Sequence, residues 1–85
     1  MESQIIVNSN HGLHARPAAV FVQIANKFDS KVSLAKDGEC VDGKSIIAIL
    51  SLGINRGAQV SLIAEGRDAK ETADELRKFL ESNND

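Results

Sequence analysis

The 85-residue chain has one cysteine, one proline, and neither tryptophan nor tyrosine. Each shortage closes off a class of protein. A single thiol, Cys40, forms no internal disulfide and supplies no four-cysteine zinc site, which suits a reducing compartment. No apolar stretch approaches the roughly 18 residues of a membrane span, and no charged segment leads into a short apolar run as in a signal peptide. The expected setting is cytoplasmic, with no membrane partner. Cationic excess is lacking too: 10 Lys and Arg face 12 Asp and Glu, a net charge of −2, so nucleic acid is not an expected partner. A chain of this length buries roughly 60–70% of its unfolded surface, enough for one core and too little for two. Residues 1–85 therefore read as a single domain, and 42% hydrophobic with 26% charged residues is the composition of an ordinary globule.

Charge is unevenly placed. Residues 1–60 carry six basic (Arg16, Lys27, Lys31, Lys36, Lys44, Arg56) and five acidic side chains, whereas residues 61–85 carry four basic and seven acidic. A mildly cationic front half is compatible with acidic partners and equally with a plain solvated surface.

The patterning predicts seven elements. Gln4-Ile5-Ile6-Val7 is a β-branched strand running into a polar loop. From Ala15 to Phe28, apolar residues at 18, 21, 22, 25 and 28 follow helical spacing, with Pro17 in the first turn, where a missing N–H is tolerated. Lys31 to Lys36 and Glu39 to Asp42 flank Asp37-Gly38, a hairpin signal because both turn residues accept positive φ. Ser45 precedes the apolar run 46–50 and Gly53 follows it, which predicts a short helix with a serine N-cap and a glycine end. Gln59 to Ala64 is a fourth strand. Asp68 with Glu71 matches a capping box ahead of Ala69, Ala73, Leu76 and Leu80, which share one helix face. The order βαββαβα, with its hairpin, predicts an α+β domain in which three helices cover one face of a mostly antiparallel sheet.

Four constellations bear on chemistry. Gly38-Glu39-Cys40-Val41-Asp42-Gly43-Lys44-Ser45 matches the nucleotide-binding P-loop letter for letter. That loop needs a parallel strand feeding a phosphate-wrapping turn, whereas here the interval begins at a hairpin turn and Cys40-Val41 reads as strand, so its N–H groups go to the ladder. The match is expected to be accidental. His11 and His14, even with Cys40 or Asp42, lack a local third ligand, so no metal site is expected and no cofactor is implied. No Gly-x-Ser-x-Gly elbow supports a serine hydrolase. The segment His14-Ala15-Arg16-Pro17 is more informative. An imidazole at the mouth of a helix faces unbonded N–H groups and the positive end of the macrodipole, a setting for an anion carried on the ring. Arg16 adds a planar guanidinium suited to phosphate oxygens. A neutral imidazole is nucleophilic and a phosphoramidate stays energy-rich, so such a site can accept and pass on a phosphoryl group; a histidine that merely caps the helix is the alternative.

Gly12-Leu13-His14-Ala15-Arg16-Pro17-Ala18-Ala19, Phe28-Asp29-Ser30, Lys44-Ser45-Ile46, Leu50-Ser51-Leu52-Gly53 and Ala64-Glu65-Gly66 closely resemble HPr, the histidine-containing phosphocarrier family of the bacterial phosphoenolpyruvate-dependent sugar phosphotransferase system. The resemblance runs from about Ile5 to Leu80. It implies an open-faced β-sandwich, a four-stranded antiparallel sheet covered on one face by three helices. It also implies a phosphoryl carrier that is not itself an enzyme. His14 would be phosphorylated on Nδ1 by enzyme I and would pass the group to the A component of sugar permeases, with Arg16 as the active-site arginine. Ser45 matches a regulatory phosphorylation site used by HPr kinase/phosphorylase in many Gram-positive bacteria; an ordinary N-cap serine is the other reading. Ile46, Ile49 and Leu50 can turn to the core, which would leave Ile47 outside in a docking patch. Docking is assigned to Ala15, Ala19, Lys27, Ile46, Ile47, Leu50 and Arg56, on a monomer. Many regulatory Gram-positive members have methionine where Ile47 and Leu50 stand, positions that contact a transcriptional co-regulator in the family. His11 replaces a usual small polar residue, either tuning protonation of the site or lying exposed in the loop. Two alternatives stand beside the carrier: the nitrogen-related phosphotransfer branch, which Ile47-Ala48 resembles, and a regulatory binding protein of the same fold switched at Ser45. Some relatives have lost the histidine and work in the second way.

Overall fold

The computed structural model describes residues 1–8 and 12–82. Along the chain lie β1 (Glu2–Ile6), α1 (Ala15–Ala25), β2 (Lys31–Lys36), β3 (Glu39–Asp42), α2 (Ile46–Ser51), β4 (Gln59–Glu65) and α3 (Ala69–Glu81). The strands form one antiparallel sheet in the order β1-β4-β2-β3. Strand periodicity decides its two faces. Ile5 lies opposite Val60, and Leu62 is flanked by Ser3 on one side and Leu34 on the other, so the buried residues of β1, β2 and β4 share one face. Phe21, Ala18 and Ala25 of α1, Ile49 of α2, and Ala73, Leu76 and Leu80 of α3 close over that face. Truncating a ring such as Phe21, fully enclosed in this layer, costs about 3–5 kcal/mol. The opposite face is open and polar, with Gln4 Nε2 donating to Ser61 Oγ across two strands at 2.8 Å. The result is the open-faced α+β sandwich that the element order implies.

The hairpin forms as its residues require. Lys36 pairs with Glu39, and the two residues between them, Asp37 and Gly38, have φ of 52° and 84°, the double left-handed turn that fits strand twist.

β4 runs one residue past the expected Ala64, to Glu65, and three larger differences from the sequence expectation stand out. β1 spans Glu2–Ile6 in place of 4–7, because β4 pairs with it as far as Met1, whose carbonyl accepts from Ala64 N at 2.8 Å. Helix α1 ends at Ala25, three residues before Phe28. There Lys27 N and Phe28 N bond to Ile24 O and Ala25 O, and this tightening turns the chain toward β2. The capping box before α3 is absent. Asp68 stands at the N-cap backbone position, but its carboxylate makes no cap bond. It reaches to the α1–β2 loop instead, accepting from Asp29 N at 3.0 Å, Ser30 N at 2.9 Å and the Ser30 hydroxyl.

Candidate functional site

His14 is held by a backbone junction that begins two residues before it. Gly12 has φ of 70°, and a Cβ there would run into the Ile54 carbonyl oxygen and stand 2.7 Å from Asn55 Cα. Only glycine satisfies both demands. The next residue, Leu13, is buried and donates its N–H to Ile54 O at 2.9 Å. The 53–58 segment that receives these contacts is itself tied down, since Gly57 N donates to Val7 O at 2.8 Å and Ala58 N to Asn55 O at 3.0 Å. His14 thus projects from a seated loop.

At the mouth of α1, His14, Ala15 and Arg16 are exposed while Pro17 and Ala18 are buried. His14 takes the N-cap backbone position with extended φ and ψ, but its ring makes no capping bond, which corrects the reading of a capping histidine. The first helical bond is Ala18 N to His14 O at 2.9 Å. The N–H groups of Ala15 and Arg16 precede that bond and Pro17 has none, so the helix end at His14 carries positive polarity. No acidic residue occurs in 12–28 or in 43–64, which leaves both segments free of local negative charge.

Helix α2 packs against α1 and carries the apolar surface. Ser45 is its N-cap as expected, the hydroxyl accepting from Ala48 N at 3.3 Å, and Gly53 ends it with φ of 63°. Ile49 is fully enclosed and Ile47 is 82% exposed, as the spacing predicts. Ile46 and Leu50 differ from the core expectation: they are 40% and 38% exposed. A six-residue helix in contact chiefly with α1 and β3 encloses few of its side chains, and Ile49 is the one fully enclosed. Ile46, Ile47 and Leu50 therefore join exposed Ala15 and half-buried Ala19 as the apolar candidates for docking. Arg56 is exposed on the loop that seats Leu13. Lys27 is exposed beyond the other end of α1, whose 11 residues span about 16 Å, so it marks the far limit of a surface centred on His14.

Two lysines have their head groups committed inside the fold. Lys44 Nζ donates to Phe28 O at 2.9 Å, just past α1, and Lys36 Nζ donates to Gly53 O at 3.0 Å and Leu52 O at 3.3 Å, at the end of α2. Nothing in the sequence announced these contacts, because each joins residues 16 or 17 positions apart through the tertiary fold. Lys44 is the lysine of the P-loop match, and the rest of that match is equally occupied. Residues 39–42 pair with β2, Gly43 N donates to Val32 O at 2.8 Å, and Lys44 N donates to Asp42 Oδ1 at 2.9 Å. The phosphate-wrapping loop is a hairpin strand here. Cys40 is exposed on β3, and among the described residues no group of three or more metal-binding side chains converges. His11 lies outside the described residues.

The family model described as the PTS HPr component phosphorylation site matches residues 1–82. The chain belongs to the HPr family. It is 46% identical over 81 residues to the HPr-like protein Crh of Halalkalibacterium halodurans, covering 95% of this chain and 96% of that one. It is 41% identical over 79 residues to the phosphocarrier protein HPr of Buchnera aphidicola, covering 93% of each. The crystal structure of a phosphocarrier protein HPr from Bacillus anthracis superposes with a TM-score of 0.92 at 40% identity, over 94% of this chain and 95% of that one. The chain is accordingly an HPr-type phosphocarrier by family, built on the HPr sandwich.

Proposed function

We propose that this single domain takes a phosphoryl group from phospho-enzyme I onto Nδ1 of His14 and delivers it to the A component of sugar permeases in the cytoplasm, acting as a monomeric carrier. The observation that carries the reading is the setting of His14: an exposed residue at the positive end of α1, with Arg16 two residues on and a seated loop behind it. In the transfer the His14 lone pair attacks phosphorus, a P–N bond forms, and the bond from phosphorus to the donor breaks. The donor keeps that electron pair and takes up one proton while the His14 ring gives one up. The phosphorylated ring places its negative charge at the mouth of α1, beside the N–H groups of the first turn and the Arg16 guanidinium, which together stabilise it. Arg16 and Arg56 on this surface suit an acidic partner, and the apolar side chains of α2 give that partner a contact to desolvate.

The rival is a regulatory binding protein switched by HPr kinase/phosphorylase at Ser45, and similarity to an HPr-like protein Crh keeps it in view. His14 separates the two, because a purely regulatory protein has no use for an exposed nucleophilic ring at a helix mouth. Incubation with enzyme I and phosphoenolpyruvate followed by intact mass tests the carrier reading. One phosphoryl group should appear on the wild type, acid-labile and base-stable, and none on His14→Ala. A label that survives in His14→Ala and disappears in His11→Ala assigns the chemistry elsewhere.

A further inference from the structure

The C-terminal end of α2 is completed by a residue that does not belong to α2. The helix has no basic residue in its last turn, and its closing carbonyls carry the negative end of the helix dipole. Lys36, at the last position of β2, supplies the missing cation. Its ammonium sits between Leu52 O at 3.3 Å and Gly53 O at 3.0 Å, with Asp37 Oδ2 at 3.9 Å, and its side chain is only 22% exposed. One residue further on, Ile54 O receives the N–H of Leu13, and His14 follows directly. A continuous set of contacts thus joins the tip of the β2–β3 hairpin to the end of the apolar helix and on to the candidate acceptor loop.

We propose that Lys36 is a positioning residue for phosphotransfer: by holding Leu52 and Gly53 it sets both the pose of Ile47 and Leu50 and the Ile54 carbonyl on which Leu13 and His14 hang. A six-residue helix has little stability of its own, so its orientation depends on what fixes its two ends. Ser45 fixes the first and Lys36 fixes the second. Lys36 acts through the Leu52 and Gly53 carbonyls, so its effect falls on recognition by the donor protein rather than on the bond-making step.

The inference rests on the carrier reading, and the experiment separates the two. Lys36→Met keeps most of the aliphatic stem and removes the donors; Lys36→Arg keeps the charge and the donors. With phospho-enzyme I as the probe, Lys36→Met should raise KM about fivefold while kcat stays within about twofold, the signature of lost binding geometry with intact chemistry. Lys36→Arg should return KM to within about twofold of wild type, and the Leu13 amide should exchange with solvent faster in Lys36→Met than in wild type or Lys36→Arg. Ser30→Ala, which weakens the clamp between the α1–β2 turn and the start of α3, is the control for general destabilisation and should leave KM unchanged. If Lys36→Met does not fold, Lys36→Gln is measured against the same expectations. An unchanged KM in the neutral variant, a failure of Lys36→Arg to rescue, or an equal rise in Ser30→Ala overturns the role of Lys36 alone. A wild type that takes no label from enzyme I overturns the carrier reading and this inference with it.

Discussion

Ser30 donates both its backbone N–H and its hydroxyl to one carboxylate oxygen of Asp68, 38 residues further along the chain. The other oxygen accepts from Asp29 N at 3.0 Å, so a single side chain clamps the turn between α1 and β2 onto the start of α3. Thr72 closes the site from within the helix, its hydroxyl donating to Asp68 O at 2.7 Å. Gly66 belongs to the same junction: a Cβ there would stand 2.7 Å from Ser30 Oγ, and its φ of 145° disfavours any other residue.

The clamp makes stability depend on acid. The Ser30 hydroxyl first, and then the Asp29 N–H, stabilise the carboxylate and hold the Asp68 pKa at about 2, below the ordinary 3.8. A group with a depressed folded pKa contributes stability that is complete above its unfolded pKa and is lost as pH falls through the folded one. Asp68→Asn should therefore lower the melting temperature at pH 7, and the gap to wild type should close between about pH 4 and pH 2. A gap of the same size at pH 2 contradicts the assignment.

Neighbouring isoleucines of α2 should separate stability from recognition. Ile49→Ala opens a cavity in the closed layer and should cost about 2–5 kcal/mol in urea unfolding, whereas Ile47→Ala should stay within about 0.5 kcal/mol. Enzyme I should nevertheless label Ile47→Ala more slowly than wild type, because the exposed side chain belongs to the proposed docking surface. Equal labelling rates would remove Ile47 from that surface.

A phosphate on Ser45 should slow the phosphorylation of His14. The hydroxyl lies at the start of the helix that carries the exposed apolar residues, and about two added charges there oppose an acidic partner during association. Ser45→Asp carries one charge and should shift the rate in the same direction by less. Salt is the control, since screening over about 8–10 Å should narrow the difference. Identical rates for Ser45→Asp and wild type at low salt place Ser45 outside the docking surface.

The residues of the P-loop match should respond as structural ones. Titration calorimetry with ATP and magnesium should show no saturable binding. Lys44→Met should lower the melting temperature by removing the donor to Phe28 O, with no nucleotide effect to lose. Micromolar ATP binding abolished in Lys44→Met would reverse this conclusion.

Local chemistry made much of the molecule legible before any coordinates. The Asp37-Gly38 turn, the Ser45 cap, the Gly53 end of α2 and the buried stripe of α3 each depend on residues within a few positions of one another, and each stands in the structure. His14, Arg16 and Pro17 were equally legible, because a helix mouth is a local object. Propensity and spacing did not reach the contacts made across the fold. Asp68 looked like a cap because Glu71 follows it, but it bonds to Ser30, a partner brought near only when α3 docks beside the α1–β2 turn. Ile46 and Leu50 looked buried because a period of 3.6 marks which side chains share a face; which faces are covered depends on how many elements surround the helix, and α2 has few. Lys36 and Lys44 read as surface charge, yet their ammonium groups bond to carbonyls just past α2 and α1, which come within reach only in the assembled structure. Sequence determined the elements and the candidate acceptor side chain, since those follow from nearest-neighbour sterics and residue chemistry. Tertiary structure alone decided what holds them in place, since a buried donor takes whichever acceptor packing brings within about 3 Å.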